Sequence, residues 1–175
     1  MARVVLLRGA NVGGHRTFRP ANLAKQLKHL DVVNIGAAGT FVIGARVTRA
    51  ELRAELARRL PFRAEIVICE GRELTEMAAE DPFAAEPVPA DAVRFVSILS
   101  RRSRTALATP TTFPPHGPWL VRIIAVQNRF VFGLYRRQMK VIRYLGALDR
   151  LFGVPVTTRN WNTVTAIAAV LNGRS

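Results

Sequence analysis

The order of six short segments within the first 70 residues most tightly limits what this chain can fold into. Val4-Val5-Leu6-Leu7 is an unbroken β-branched and leucine run followed by Gly9, so residues 2–8 read as a strand. Pro20 suits a first helical position, and Leu23, Leu27 and Leu30 recur at helical spacing behind it, so residues 20–30 read as an amphipathic helix. Val32–Ile35 and Thr40–Ile43 flank Gly36-Ala37-Ala38-Gly39, which is the small-residue chemistry of a hairpin. Thr48 can cap a second helix: Leu52, Leu56 and Leu60 line one face, Glu51 lies near the first turn, and Glu55 precedes Arg59 by four residues as a supporting pair. Pro61 ends that helix, and residues 64–70 form a fourth strand. The resulting β-α-β-β-α-β order is the split-βαβ, or ferredoxin-like, order.

Beyond it, residues 71–91 read as an acidic helix and then a Pro-rich connector, Glu86-Pro87-Val88-Pro89-Ala90-Asp91. This connector separates a first subdomain, residues 1–85, from a second, residues 92–175. Glu73, Glu76 and Glu80 share a helical face, which with no His nearby reads as a solvated surface rather than a metal cluster. Residues 92–99 are a strand, residues 101–117 a basic Thr- and Pro-rich loop, and residues 119–126 and 130–135 a hairpin around Gln127-Asn128-Arg129. Val141, Leu145, Leu148 and Phe152 mark a helix that Gly153 and Pro155 terminate, and a last helix begins near Thr158 and runs to Asn172. The expected class is therefore α+β, with a ferredoxin-like first subdomain and, in the second, a smaller antiparallel sheet with C-terminal helices.

Charge enters the argument next. The 26 basic residues against 12 acidic give a net charge of +14, and 23 of the 26 are Arg. Together with 24 Ala, that is the composition a GC-rich genome tends to encode, so the total charge by itself does not separate a compositional from a functional origin. Its placement is more informative: residues 1–30 hold six basic and no acidic residues, residues 31–91 hold seven and eleven, and residues 92–175 hold thirteen and one. No apolar run approaches the roughly 18 residues of a membrane span, so the expected location is the cytoplasm, with no membrane partner. Cys69 lies in the run Ile66-Val67-Ile68-Cys69 and reads as a buried strand residue. His15, His29 and His116 stand apart at no ligand spacing, so no metal or cofactor is expected.

Two polar segments interrupt the apolar pattern. The first is Arg8-Gly9-Ala10-Asn11-Val12-Gly13-Gly14-His15, a glycine-containing loop that leads into a helix and can offer backbone N–H groups to an anion. It is neither the dinucleotide fingerprint nor the P-loop. The second is Thr157-Thr158-Arg159-Asn160-Trp161-Asn162-Thr163. On a helix centred on Val164 at about 100° per residue, Trp161 and Asn160 fall in the apolar arc and Asn162 opposite it. Trp161 thus reads as core and Asn160 as a polar side chain aimed inward. With Thr158 as N-cap, Arg159 to Asn162 occupy the first turn, where the helix dipole favours an anion. Asn160 is then either a buried clip or part of a ligand site.

Leu6-Leu7-Arg8-Gly9-Ala10-Asn11-Val12-Gly13-Gly14 near the start, with Gly153-Val154-Pro155 and Thr157-Thr158-Arg159-Asn160-Trp161-Asn162-Thr163-Val164 near the end, resembles the bacterial domain-of-unknown-function 1697 family. The resemblance covers essentially the whole chain. It implies two α+β subdomains forming one family domain, the first ferredoxin-like, and it implies no reaction. The chain also departs from the family. Ala37-Ala38-Gly39-Thr40 replaces a polar Gln-Ser-Gly-Asn stretch, and the helix before Gly153 carries Val141, Ile142, Tyr144 and Leu145 where relatives often carry Ser, Lys, Thr and Asn.

Three functions follow. A small anionic or phosphorylated ligand would sit between Arg8, Asn11 and the Gly13-Gly14 backbone on one side and Arg159, Asn160 and Asn162 on the other. The motifs supply only His15 as a titratable side chain, and Asp149 is the sole carboxylate side chain after residue 91, so no catalytic constellation is visible and the site is left open as enzymatic or not, with the balance against an enzyme. Alternatively, Arg101, Arg102 and Arg104 form a basic loop, and Arg136, Lys140 and Arg143 fall at i, i+4, i+7 as a helical stripe near Tyr135 and Tyr144, suited to non-specific nucleic-acid binding. The strand Thr40–Ile43 and the run Val4-Val5-Leu6-Leu7 lack the aromatic pattern of RNA-recognition modules. In the third function, an interaction or scaffold protein, both terminal motifs are purely structural.

Overall fold

All four apolar runs of the first 70 residues are strands in the computed structural model, which describes residues 1–9 and 18–174. The chain opens β1 (Arg3–Arg8), α1 (Pro20–Gln26), β2 (Val32–Ile35), β3 (Thr40–Ile43), α2 (Arg49–Arg59), β4 (Glu65–Glu70). The four strands form an antiparallel sheet in the order β2-β3-β1-β4. Val5 sits opposite Phe41 on β3 and Ile68 on β4, so these three side chains share a face. That face packs with Leu23 and Leu27 from α1 and its end, and with Leu52 and Leu56 of α2. Their removal from water is the main force holding this half together.

Local chemistry sets the ends of the helices. Thr48 Oγ1 accepts the Glu51 N–H at 3.2 Å while the Glu51 carboxylate accepts the Thr48 N–H at 2.8 Å, a reciprocal capping box. The hydrogen bonds from the Thr48 side chain and backbone hold the Glu51 carboxyl below its ordinary range. Near the other end of α2, Arg59 Nε donates to Glu55 at 2.7 Å, the expected i, i+4 pair. α1 is shorter than the 20–30 expected from its leucines: it stops at Gln26, and a 3-10 turn over Lys28–Leu30 leads into Asp31, whose φ is +51°. Cys69 is buried in β4. In α3 (Gly71–Ala79) the glutamates do not converge: Glu73 accepts from the Glu70 N–H at 2.9 Å and Glu76 pairs with Arg72 at 2.6 Å.

The chain divides into two compact units, Met1–Ala79 with Thr165–Ser175, and Glu80–Val164. The second contains β5 (Ala92–Leu99), β6 (Thr111–Phe113), β7 (Val121–Gln127), β8 (Phe130–Arg136), α4 (Val141–Gly146), α5 (Leu148–Phe152) and β9 (Val156–Asn160), and α6 (Trp161–Asn172) begins in it. Its sheet is antiparallel in the order β6-β7-β8-β5-β9. Phe95, Leu99, Val121, Ile123 and Val131 form the core on one face with Phe152 of α5.

This sheet is not the smaller of the two: it has five strands against four. Two of the five were expected as something else. β6 lies inside the segment expected as a loop and is held by pairing with β7, Thr112 opposite Arg122. β9 occupies the segment expected to start the last helix. Its Val156, Thr157 and Thr158 are β-branched, and it pairs along β5 with Val96 opposite Arg159 and Ser97 opposite Thr158. The single helix expected through Val141 and Phe152 is two short ones joined at Ala147, closed by Gly153 in the left-handed region at φ +66°. Among the described residues, no helix is long and apolar enough to cross a membrane.

Candidate functional site

The junction between β9 and α6 shows how the second polar segment is used. Strand alternation sends Thr158 to one face, where its hydroxyl meets Ser97 Oγ at 2.6 Å. Arg159 points to the other face and is only 8% exposed. Its Nη1 donates to the Thr158 carbonyl at 2.9 Å, and burial pulls its pKa down to about 10, so the guanidinium is still charged at neutral pH. Arg159 is therefore a buried strand residue, not a residue of the first helical turn.

Asn160 also departs from expectation, because the inward arc assumed helical geometry from Thr158 onward. It is exposed, and its Oδ1 accepts the Thr163 N–H at 2.8 Å, three residues ahead, which makes it the N-cap of α6 in place of Thr158. It is neither aimed inward nor a buried clip. Replacing it with Ala is expected to lower stability by about 1 kcal/mol through the lost cap, measured as a shift in the urea midpoint. Trp161 is buried as expected, edge-on to Phe83 with ring centroids 5.1 Å apart, and Asn162 is exposed.

Asn160, Trp161 and Asn162 line a groove of about 780 Å³ in the second unit. Arg94 of β5, Arg136 at the end of β8 and Arg137 just after it line the same groove. Arg136 is ion-paired with Asp91 and stacks over Trp119, 4.0 Å from its ring centroid. Arg94 lies 5.9 Å from the ring centroid of Phe83. Arg137 is exposed.

The helical stripe expected from Arg136, Lys140 and Arg143 does not form. Arg136 belongs to β8, Lys140 precedes α4, and of the three only Arg143 lies within a helix, over the ring of Tyr144 at 5.0 Å. Arg101, Arg102 and Arg104 do come together. They are exposed and line a second cavity of about 630 Å³ with Phe152, Gly153 and Val154. Arg102 Nη2 donates to Asn128 Oδ1 at 2.6 Å, and Ser103 Oγ donates to the Phe152 carbonyl at 2.6 Å, which ties the loop to the end of α5. Arg8 ends β1 in the first unit and pairs with Glu65 at 3.2 Å. Asn11, Gly13, Gly14 and His15 lie outside the described residues.

Sequence reasoning missed Arg94 and Arg137. The available signal was a lone charge inside the apolar run of β5 and a second arginine directly after β8; only long-range pairing of these strands brings both to Asn160.

An α+β chain with two antiparallel sheets and a basic, amide-lined groove at a strand-to-helix junction is thus in hand. The family model described as protein of unknown function (DUF1697) matches residues 1–112, and the chain belongs to that family. Comparisons with curated proteins and with solved structures found no match.

Proposed function

We propose that the protein binds a small anionic or phosphorylated ligand in the groove beside the start of α6. The observation that carries this reading is that two exposed amides, Asn160 and Asn162, share one concavity of about 780 Å³ with three guanidinium groups, those of Arg94, Arg136 and Arg137. A cleft of that volume suits a small molecule, and guanidinium groups make charge-assisted hydrogen bonds to carboxylate or phosphate. The positive end of the α6 dipole adds to the same potential. Arg8, Asn11, Gly13, Gly14 and Arg159, which the sequence also offers for an anion, are not needed for this reading, which rests on the groove residues of the second unit alone. The reading is of a binding site rather than a catalytic one. The β2-β3-β1-β4 order and its antiparallel pairing support a ferredoxin-like description of the first unit.

A second reading, polyanion binding, draws support from the cavity lined by Arg101, Arg102 and Arg104, in a segment with thirteen basic residues and one acidic. One calorimetric titration of nucleic-acid-free protein at low salt tests both. Methyl phosphate is expected to bind, and the double variant Arg137→Ser with Asn162→Ala to weaken it at least about tenfold. Unchanged affinity in that variant would overturn the first reading. A short oligonucleotide whose binding falls steeply with salt and is lost in Arg101→Ser with Arg104→Ser would favour the second.

A further inference from the structure

Among the described residues, the large hydrophobic side chains left exposed are Met1 at 69%, Val88 at 41%, Met139 at 82% and Ile142 at 64%. Three of these four, all but Met1, line the groove that holds Arg94, Arg136, Arg137, Asn160 and Asn162. Scattered exposed apolar residues need no explanation, but a cluster of them in one concavity does.

The origin of the cluster is local. Val141 is buried in the core of the second unit, which fixes the rotation of α4. Ile142, the next residue, is then turned outward, and Leu145 follows three residues on, along the same side of the helix and also lining the groove. Met139, in the connection between β8 and α4, adds an unbranched, adaptable side chain. The ends of two strands thus supply cations, and the α4 segment supplies an aliphatic wall.

We propose that the ligand is amphiphilic: an anionic head group carrying a single hydrocarbon chain, taken up as a soluble monomer. This rests on the anion reading above and extends it by the chain. Charge complementarity places the head at the guanidinium and amide groups, and Val88, Met139, Ile142 and Leu145 cover the hydrocarbon. All four wall residues are aliphatic or thioether, which fits a flexible alkyl chain. The volume of about 780 Å³ accommodates a short-chain amphiphile.

The test compares octyl phosphate below its micellar concentration with methyl phosphate and with octanol, each titrated calorimetrically into the full chain. Covering roughly half of each methylene gives about a twofold gain per carbon, so octyl phosphate is expected to bind about a hundredfold more tightly than methyl phosphate. In the double variant Met139→Ser with Ile142→Ser, most of that gain should vanish while methyl phosphate affinity and the melting temperature stay unchanged. Equal affinity for octyl and methyl phosphate would overturn the chain and leave the anion site standing. Octanol binding as well as octyl phosphate would overturn the anionic head, and with it both readings. Binding to phosphatidylglycerol vesicles, or to an acidic peptide, with none to monomeric octyl phosphate would overturn the proposal in favour of a macromolecular partner.

Discussion

Replacing Gly133 with valine is expected to abolish folding of the second unit, and replacement with alanine to destabilise it by about 3 kcal/mol or more. Gly133 lies in β8 between Phe95 of β5 and Ile123 of β7. A Cβ there would stand 2.6 Å from the Arg122 carbonyl oxygen and 2.6 Å from Cζ of Phe95, both far inside van der Waals contact. Neither neighbour can yield. Arg122 is opposite Leu134 within the β7–β8 ladder, and Phe95 is fully buried, its ring 5.9 Å from that of Tyr135. The missing side chain is therefore occupied space: the ring of Phe95 fills the room that a larger residue would need. Urea unfolding of the alanine variant checks this, and a loss below about 1 kcal/mol would mean that the β7–β8 pair shifts where it departs from regular register, at Ile123 and Ala125.

The second large effect is expected at Trp161. Its truncation to Ala should cost about 3–5 kcal/mol, as for other buried aromatic residues. The indole is 6% exposed and edge-on to Phe83, which in turn is edge-on to Phe132 with centroids 6.1 Å apart, so the variant leaves a cavity at the end of an aromatic chain. Trp161 also lines the groove, so Trp161→Ala should weaken methyl phosphate binding as well as stability. Asn162→Ala separates the two: as an exposed residue it should leave the urea midpoint within about 0.5 kcal/mol of wild type and weaken the ligand alone. If Asn162→Ala unfolded the protein as readily as Trp161→Ala, the motif would be structural throughout.

These two residues also mark how far the chain can be read without coordinates. Where periodicity is local the pattern is legible: β1 to β4 come from apolar runs, α2 from leucines at i, i+4, i+8 behind a Thr-x-x-Glu box. At the start of α6 the same reasoning misplaced Arg159 and Asn160, because a helical wheel extended back through Thr158 ignores that Val156, Thr157 and Thr158 pair with β5, some 60 residues away in sequence. The spacing of Arg136, Lys140 and Arg143 misled for the same reason, since i, i+4, i+7 has meaning only within one helix. The groove was hidden more deeply. Arg94, Arg137 and Asn160 meet through the pairing of β5 with both β8 and β9, and no short window of sequence contains them.

Arg136 has a further consequence, for the entropy of recognition. An exposed arginine must surrender much of its rotamer freedom when it grips an anion, at about 0.5–1.5 kcal/mol for such a side chain. Held between the Asp91 carboxylate and the face of Trp119, Arg136 has already given up much of that freedom. Its guanidinium is held by two partners, whereas Arg137 is exposed, so an anion bound as proposed would have to order Arg137 alone. At the proposed site, one cation held in place beside one exposed cation would fix the orientation of a head group while tolerating variation in its size.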